Sequence, residues 1–163
     1  MEQELGQQAY LGLDTHRETI HGTALTKGGE IICSYEFKNG REAMKEFLKS
    51  FKPWNTSIAI EACGIWRGCY RILKELGYNE IKLANPLKCH QIAKDKKTDE
   101  VDSKILADLL RTNYLPEVFI PSEEILKLRD LVRHKCNLTR LRVRIQNKIK
   151  ACLLREGIAY ERG

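Results

Sequence analysis

Short runs of apolar residues near the N terminus predict three consecutive β-strands. In these runs apolar and polar residues alternate, or nearly every residue is apolar, which is typical of strands with one or both faces buried. The segment 27–30, Lys-Gly-Gly-Glu, has the glycine pair of a tight hairpin turn. The three predicted strands cover residues 10–16, 19–26 and 30–37.

Further along the chain, apolar residues at helical spacing alternate with short apolar runs. Gly77 stands where a helix commonly ends, and Thr98 is an N-cap residue before a helical pattern. The predicted helices cover residues 41–51, 65–76, 87–94 and 99–113, and the predicted strands cover residues 57–62 and 80–84. This order predicts an α/β fold with a mixed five-stranded sheet flanked by helices.

The segment 122–156 contains neither glycine nor proline and is predicted to form one long helix. About 35 helical residues span roughly 52 Å. Apolar side chains recur every seven positions, a pattern typical of coiled-coil seams, although His134 and Lys148 interrupt it. The repeating residues are Leu131, Leu138, Ile145 and Cys152. We expect this helix to pair with a second copy or another domain; the alternative is that its apolar stripe packs on its own domain.

The length of 163 residues corresponds to one domain plus an appendage. No apolar run approaches the roughly 18 residues of a membrane span, and the start of the chain is acidic and polar rather than signal-like. The six cysteines include no Cys-x-x-Cys pair, so we expect reduced thiols, neither disulfides nor a zinc site. These features predict a cytoplasmic protein.

The net charge of +6 is concentrated in the predicted long helix. Residues 1–122 contain 17 basic and 17 acidic residues, whereas residues 123–156 contain ten basic and four acidic ones. A localised basic segment indicates a polyanionic partner, because Lys and Arg side chains neutralise phosphates. The candidate nucleic-acid-binding residues are Arg133, Arg140, Arg144 and Lys148.

Four acidic residues are notable for their positions. Asp14 lies inside an apolar strand, where a charge is costly unless it is paired or binds a metal, and Glu61 ends another apolar run. Asp99 and Asp102 project from one face at the start of a predicted helix. Taken singly, each acid has an ordinary explanation as a surface, ion-paired or helix-start residue. Together they offer the oxygen ligands that two divalent cations need.

At four places the sequence resembles a known family of transposases. The matching segments are Leu11-Gly-Leu-Asp-Thr-His16 with Thr19-Ile20, Ile60-Glu-Ala62 with Gly64 and Trp66, Asn85-Pro86, and Lys97-Thr-Asp99 with Asp102-Ser103, Leu106-Ala107 and Arg111. They resemble the RuvC-like DEDD domain of insertion-sequence transposases that act with a structured guide RNA, and of related pilin-gene invertases. The resemblance covers roughly residues 9–120 and continues into the long helix.

The resemblance implies an RNase H-like, RuvC-type domain over residues 1–121, followed by a dimerisation or linker region over residues 122–163. It makes Asp14, Glu61, Asp99 and Asp102 both the catalytic residues and the ligands of Mg²⁺ or Mn²⁺. The implied activity is DNA strand cleavage and exchange in transposition, with DNA, a guide RNA and further copies of the chain as partners. Family members also have a second domain with a serine implicated in strand cleavage, which we expect to be absent here.

Two other functions remain open from the sequence. The chain could be a non-catalytic fragment that binds nucleic acid and dimerises, which the basic helix favours. A sugar-kinase or actin-like nucleotide binder shares the predicted opening of the fold, but no second repeat or glycine-rich phosphate loop is present. Trp54 and Trp66 are expected to pack between helix and sheet, with base stacking as the alternative.

Overall fold

The computed structural model describes residues 8–92 and 98–159, and the chain divides after Phe119 into two units. The first unit is built on a six-stranded mixed sheet in the order β3-β2-β1-β4-β5-β6. The strands are β1 Ala9–Thr15, β2 Thr19–Leu25, β3 Ile31–Lys38, β4 Thr56–Glu61, β5 Ile81–Ala84 and β6 Glu117–Val118. β4 is parallel to both of its neighbours, β1 and β5. The other three pairings, β1 with β2, β2 with β3 and β5 with β6, are antiparallel.

Four helices accompany the sheet in the described part of the first unit. They are α1 Arg41–Leu48, α2 Trp66–Glu75, α3 Pro86–Ile92 and α4 Asp99–Arg111, and a short 3₁₀ turn spans Pro53–Asn55. Gly77 adopts the left-handed conformation expected after α2, with φ of 92°. The prediction of a mixed sheet flanked by helices is therefore confirmed, although the sheet has six strands rather than five. The extra strand, β6, is only two residues long and gave no pattern to detect.

Glycine at position 12 allows α4 to lie directly on β1. A Cβ atom at Gly12 would stand 2.0 Å from the carbonyl oxygen of Ser103 and 2.5 Å from the amide nitrogen of Ala107. Both contacts are with the backbone of α4, so a side chain there would have to push the whole helix away. The absence of a side chain thus fixes how closely α4 approaches the sheet.

The opposite face of the sheet carries α1. Leu13 pairs with Gly22 on β2, and a Cβ atom at Gly22 would stand 2.5 Å from the ring of Phe47 in α1. The fully buried side chains of Leu11 and Leu13 lie on this face, since side chains alternate along a strand. Central strands buried on both faces explain the nearly continuous apolar runs in the sequence.

Three details differ from the sequence-based prediction. α1 ends at Leu48, three residues before its predicted end, and Phe51 lies beyond it. α4 ends at Arg111, two residues before its predicted end, since Asn113 adopts a left-handed conformation with φ of 58°. Trp54 does not pack between helix and sheet but is 82% exposed, whereas Trp66 packs edge-on against Tyr70 at 5.8 Å. The predicted helical residues 93–94 and the motif residue Lys97 lie outside the described residues.

The second unit contains α5, Glu123–Arg155, a helix of 33 residues that begins with Ser122 as N-cap. The predicted long helix is confirmed. Its heptad residues are exposed, with Leu131 at 69%, Leu138 at 52% and Ile145 at 57%. Among the described residues, no helix is both long and apolar enough to cross a membrane.

Candidate functional site

Two of the predicted acids end neighbouring parallel strands. The register pairs Leu13 of β1 with Ile60 of β4, so the next step along both strands places Asp14 beside Glu61. Their side chains lie on one face, because paired residues of parallel strands share a face. This is the face that carries α4, since Gly12 is two residues before Asp14. Asp14 is buried and Glu61 is half-buried.

The other two acids lie in the first turn of α4. Thr98 caps this helix by accepting a hydrogen bond from the backbone N–H of Val101 at 3.2 Å, as the sequence predicted. Asp99 and Asp102 stand in the turn where negative side chains interact favourably with the helix dipole. The contact of α4 with Gly12 therefore brings this acidic turn to the strand ends that carry Asp14 and Glu61.

His16 lies between Asp14 and Asp99. Its Nε2 atom is 3.1 Å from Oδ2 of Asp14 and 3.4 Å from Oδ1 of Asp99. Burial lowers the pKa of the imidazole, but the hydrogen bond and charge of Asp14, with Asp99, outweigh burial and raise that pKa above its ordinary value. Sequence analysis did not assign His16 to the site, although its position two residues after Asp14 was a signal.

The carboxyl of Asp14 is in an unfavourable position for a charge. Burial raises its pKa above the ordinary value, and the charges of Asp99 and Asp102 raise the pKa further, against the hydrogen bond with His16, which lowers it. A cation at this position would relieve the repulsion among these acids.

Glu61 and Asp102 line one small cleft on the α4 face. The other lining residues are Cys89, His90, Ile105 and Leu106. Burial, with the charge of Glu61, raises the pKa of the Cys89 thiol to about 11, so this thiol is protonated at neutral pH. The four predicted acids thus form two adjacent groups, with Asp14 and Asp99 on one side and Glu61 and Asp102 on the other.

A buried hydrogen-bond network anchors α4 next to these acids. The hydroxyl of Ser103 donates to the carbonyl of Glu100 at 2.9 Å and lies 2.9 Å from Nδ1 of His21 and 2.7 Å from the hydroxyl of Thr23. Thr23 in turn contacts Ser34 at 2.8 Å. The sequence motif included Ser103 but did not indicate that its hydroxyl connects α4 to β2.

The donor set is suited to a divalent cation. Among the residues that the structure describes, Asp14, His16 and Asp99 each offer one ligand atom, and these atoms all lie within 4.8 Å of one another. Carboxylate oxygens are the usual ligands of Mg²⁺ and Mn²⁺, and an imidazole nitrogen is accepted by Mn²⁺ and other transition metals. The arrangement can therefore hold a metal ion and leave positions open for phosphate and water.

The predicted nucleic-acid-binding residues lie on one side of α5. At 100° per residue, Arg133, Arg140, Arg144 and Lys148 fall within a sector of about 80°. All four are exposed, and the last three line one groove along the helix with Val143 and Ala151. The centre of this basic stripe lies about 110° around the helix from the centre of the heptad residues, and Lys148 borders both surfaces.

The fold of the chain is shared with a solved structure. The chain superposes on RuvC of T. thermophilus, solved with a Holliday junction substrate, with a TM-score of 0.50 at 10% sequence identity. The superposition covers 68% of this chain and 99% of that chain. The protein therefore has an RNase H-like, RuvC-type fold, as the sequence predicted.

Sequence comparison identifies the family. Residues 11–157 match the family model DEDD_Tnp_IS110, described as transposase. The chain is 34% identical over 156 residues to the transposase for insertion sequence element IS1533 of Leptospira borgpetersenii, covering 93% of this chain and 45% of that protein. It is 26% identical over 153 residues to the transposase for IS1328 of Yersinia enterocolitica, covering 94% and 44%.

The protein belongs to this family of DEDD transposases of insertion sequences. The chain spans less than half the length of the curated relatives that it matches. The match includes all of α4 and α5 as well as the residues of β1 and β4 that carry Asp14 and Glu61.

Proposed function

We propose that this chain forms the metal-dependent catalytic part of a DNA transposase, which cleaves and exchanges DNA strands. One observation carries the proposal: a carboxylate oxygen of the buried Asp14 lies within 4.8 Å of one of Asp99 in α4, within a match to DEDD transposases. A buried acid beside other acids is costly for folding and is retained where a cation neutralises it. The alternative of a non-catalytic fragment does not account for this arrangement.

In this proposal Asp14, Glu61, Asp99 and Asp102 are the catalytic residues and hold divalent cations. When bound, these ions supply positive charge that stabilises the phosphate oxygens during strand cleavage. Asp14 and Glu61 are fixed by the sheet and the acids of α4 by its contact with Gly12, so the four side chains are positioned before substrate binds. The resemblance assigns the attacking serine to a second domain, so these acids orient the scissile phosphate rather than attack it.

The second unit carries the surfaces that bind the proposed partners. The basic stripe of α5 binds the phosphates of DNA and of a structured guide RNA, because its four exposed cations are aligned on one side of the helix. The exposed heptad residues pair with a second copy of the chain, since they form a seven-residue repeat of coiled-coil type. We place the proposed strand cleavage and exchange in the cytoplasm.

Binding of a divalent cation should stabilise the protein measurably. At about 10 mM Mg²⁺ or Mn²⁺ the melting temperature should rise by about 4 °C relative to protein in a chelator, because only the folded state assembles the four acids. Asp14→Asn should abolish most of this rise. In chelator the same variant should melt at or above the parent temperature, since it removes a charge that burial opposes.

Glu100→Gln is the matched control for Asp14→Asn. Glu100 is an exposed acid in the same turn of α4, so its replacement removes one negative charge without touching Asp14. This variant should keep the metal response of the parent. A parent protein whose melting temperature does not change with either cation would contradict the proposed function.

A further inference from the structure

We propose that His16 is a ligand of the cation held by Asp14 and Asp99, and that its imidazole makes this site prefer Mn²⁺ to Mg²⁺. This inference rests on the proposed function, because it concerns the same metal site. It adds a nitrogen ligand to the four carboxylates and thereby specifies which ion the protein selects.

The distances around His16 match the spacing of metal ligands. In an octahedral site with bonds of about 2.1 Å, neighbouring ligand atoms are about 3.0 Å apart. Nε2 of His16 is 3.1 Å from the Asp14 oxygen and 3.4 Å from the Asp99 oxygen. All three atoms lie within 4.8 Å of one another, so they can bind one ion with only small movements.

The backbone of His16 is fixed in the turn between β1 and β2. Its N–H donates to the carbonyl of Thr19 at 2.8 Å, and its carbonyl accepts a hydrogen bond from the side-chain amide of Asn39 at 2.8 Å. The imidazole is half exposed, so solvent or a phosphate can complete the coordination. Because the turn already orients the ring toward Asp14, metal binding requires little further ordering of this residue.

The chemistry of the donor atoms decides the choice of ion. Mg²⁺ is bound by oxygen ligands and seldom by nitrogen, whereas imidazole is a good ligand for transition metals. A site made of carboxylates alone gives little advantage to Mn²⁺. Replacing one water or carboxylate position by Nε2 of His16 gives Mn²⁺ an advantage that Mg²⁺ does not share.

His90 provides the matched control. This histidine is exposed and lines the cleft with Glu61 and Asp102, whereas His16 contacts Asp14 and Asp99. It lies outside the group formed by Asp14, His16 and Asp99. His16→Asn and His90→Asn therefore remove the same ring from two places near the same carboxylates.

The test is electron spin-echo spectroscopy of the full chain loaded with Mn²⁺, which detects a nitrogen nucleus bonded directly to the ion. The parent and His90→Asn should show this nitrogen coupling, and His16→Asn should lack it. Calorimetric titration should show Mn²⁺ affinity about tenfold weaker in His16→Asn, with Mg²⁺ affinity changed by less than about threefold. Melting in chelator establishes that each variant is folded.

The outcomes separate this inference from the proposed function. If the parent binds Mn²⁺ without nitrogen coupling, or if only His90→Asn loses the coupling, the assignment of His16 is wrong while the carboxylate site stands. If His16→Asn does not fold, His90→Asn still decides: retention of the coupling there supports the assignment of His16, and its loss contradicts it. If the parent binds no divalent cation, the proposed function fails and this inference fails with it.

Discussion

Gly12→Ala should lower the free energy of unfolding by about 3 kcal/mol or more, because the new methyl group would overlap the backbone of α4. The added Cβ would stand 2.0 Å from the Ser103 carbonyl oxygen and 2.5 Å from the Ala107 amide nitrogen, and neither can rotate away. In thermal melts of the full chain this corresponds to a decrease of roughly 10 °C. The variant should also lose its metal response, since α4 carries Asp99 and Asp102.

Gly68→Ala is the control for this change. Gly68 lies in the first turn of α2, and a Cβ atom there would have no neighbour within 4 Å. Because alanine favours helices over glycine, this variant should gain up to about 1 kcal/mol. A Gly12→Ala protein that melts within a degree or two of the parent and still responds to metal would show that α4 does not depend on this contact.

Reversal of three cations on α5 should remove most nucleic-acid binding. The parent should bind duplex DNA and structured RNA with little sequence preference, and its log affinity should fall with log salt with a slope of roughly −3 to −5. Arg140→Glu, Arg144→Glu and Lys148→Glu together should weaken binding by about a hundred-fold at about 100 mM salt. These three residues line one groove along α5, so their reversal replaces the attraction for phosphates there by repulsion.

The control reverses the charge of three cations on another side of the same helix. Lys135, Arg142 and Lys150 lie at least about 120° from the centre of the basic stripe. Either triple reversal lowers the formal net charge from +6 to zero, so general electrostatics are matched. Filter binding should show a much smaller loss for this control. Equal losses in both variants, or none in the first, would show that the stripe is not the binding surface.

The fold could be predicted wherever the hydrophobic pattern is strong. The buried central strands β1 and β4 and the capped helix α4 were predicted within one or two residues, because burial on fixed faces imposes a clear period. β6 was missed because a two-residue strand has no period, and it depends on pairing of Leu83 with Val118. The exposure of Trp54 could not be predicted either, since aromatic composition does not show which side of a turn faces solvent.

The unusual position of Asp14 was predictable because a charge inside an apolar run is rare, and its burial is observed. The contacts of Ser103 were not predictable from its own position. Ser103 meets His21 and Thr23 only after α4 packs on the sheet, a tertiary contact across about 80 residues that local sequence does not encode.

The proposed function requires that Asp14, Glu61, Asp99 and Asp102 together hold divalent cations. The most direct measurement is anomalous X-ray diffraction from crystals of the protein soaked in Mn²⁺, which locates each ion relative to these side chains. We expect two peaks roughly 3.5–4 Å apart, one of them bonded to Asp14 and both within reach of the other three acids. Crystals with Mn²⁺ bound elsewhere on the protein and no peak at Asp14 would contradict it.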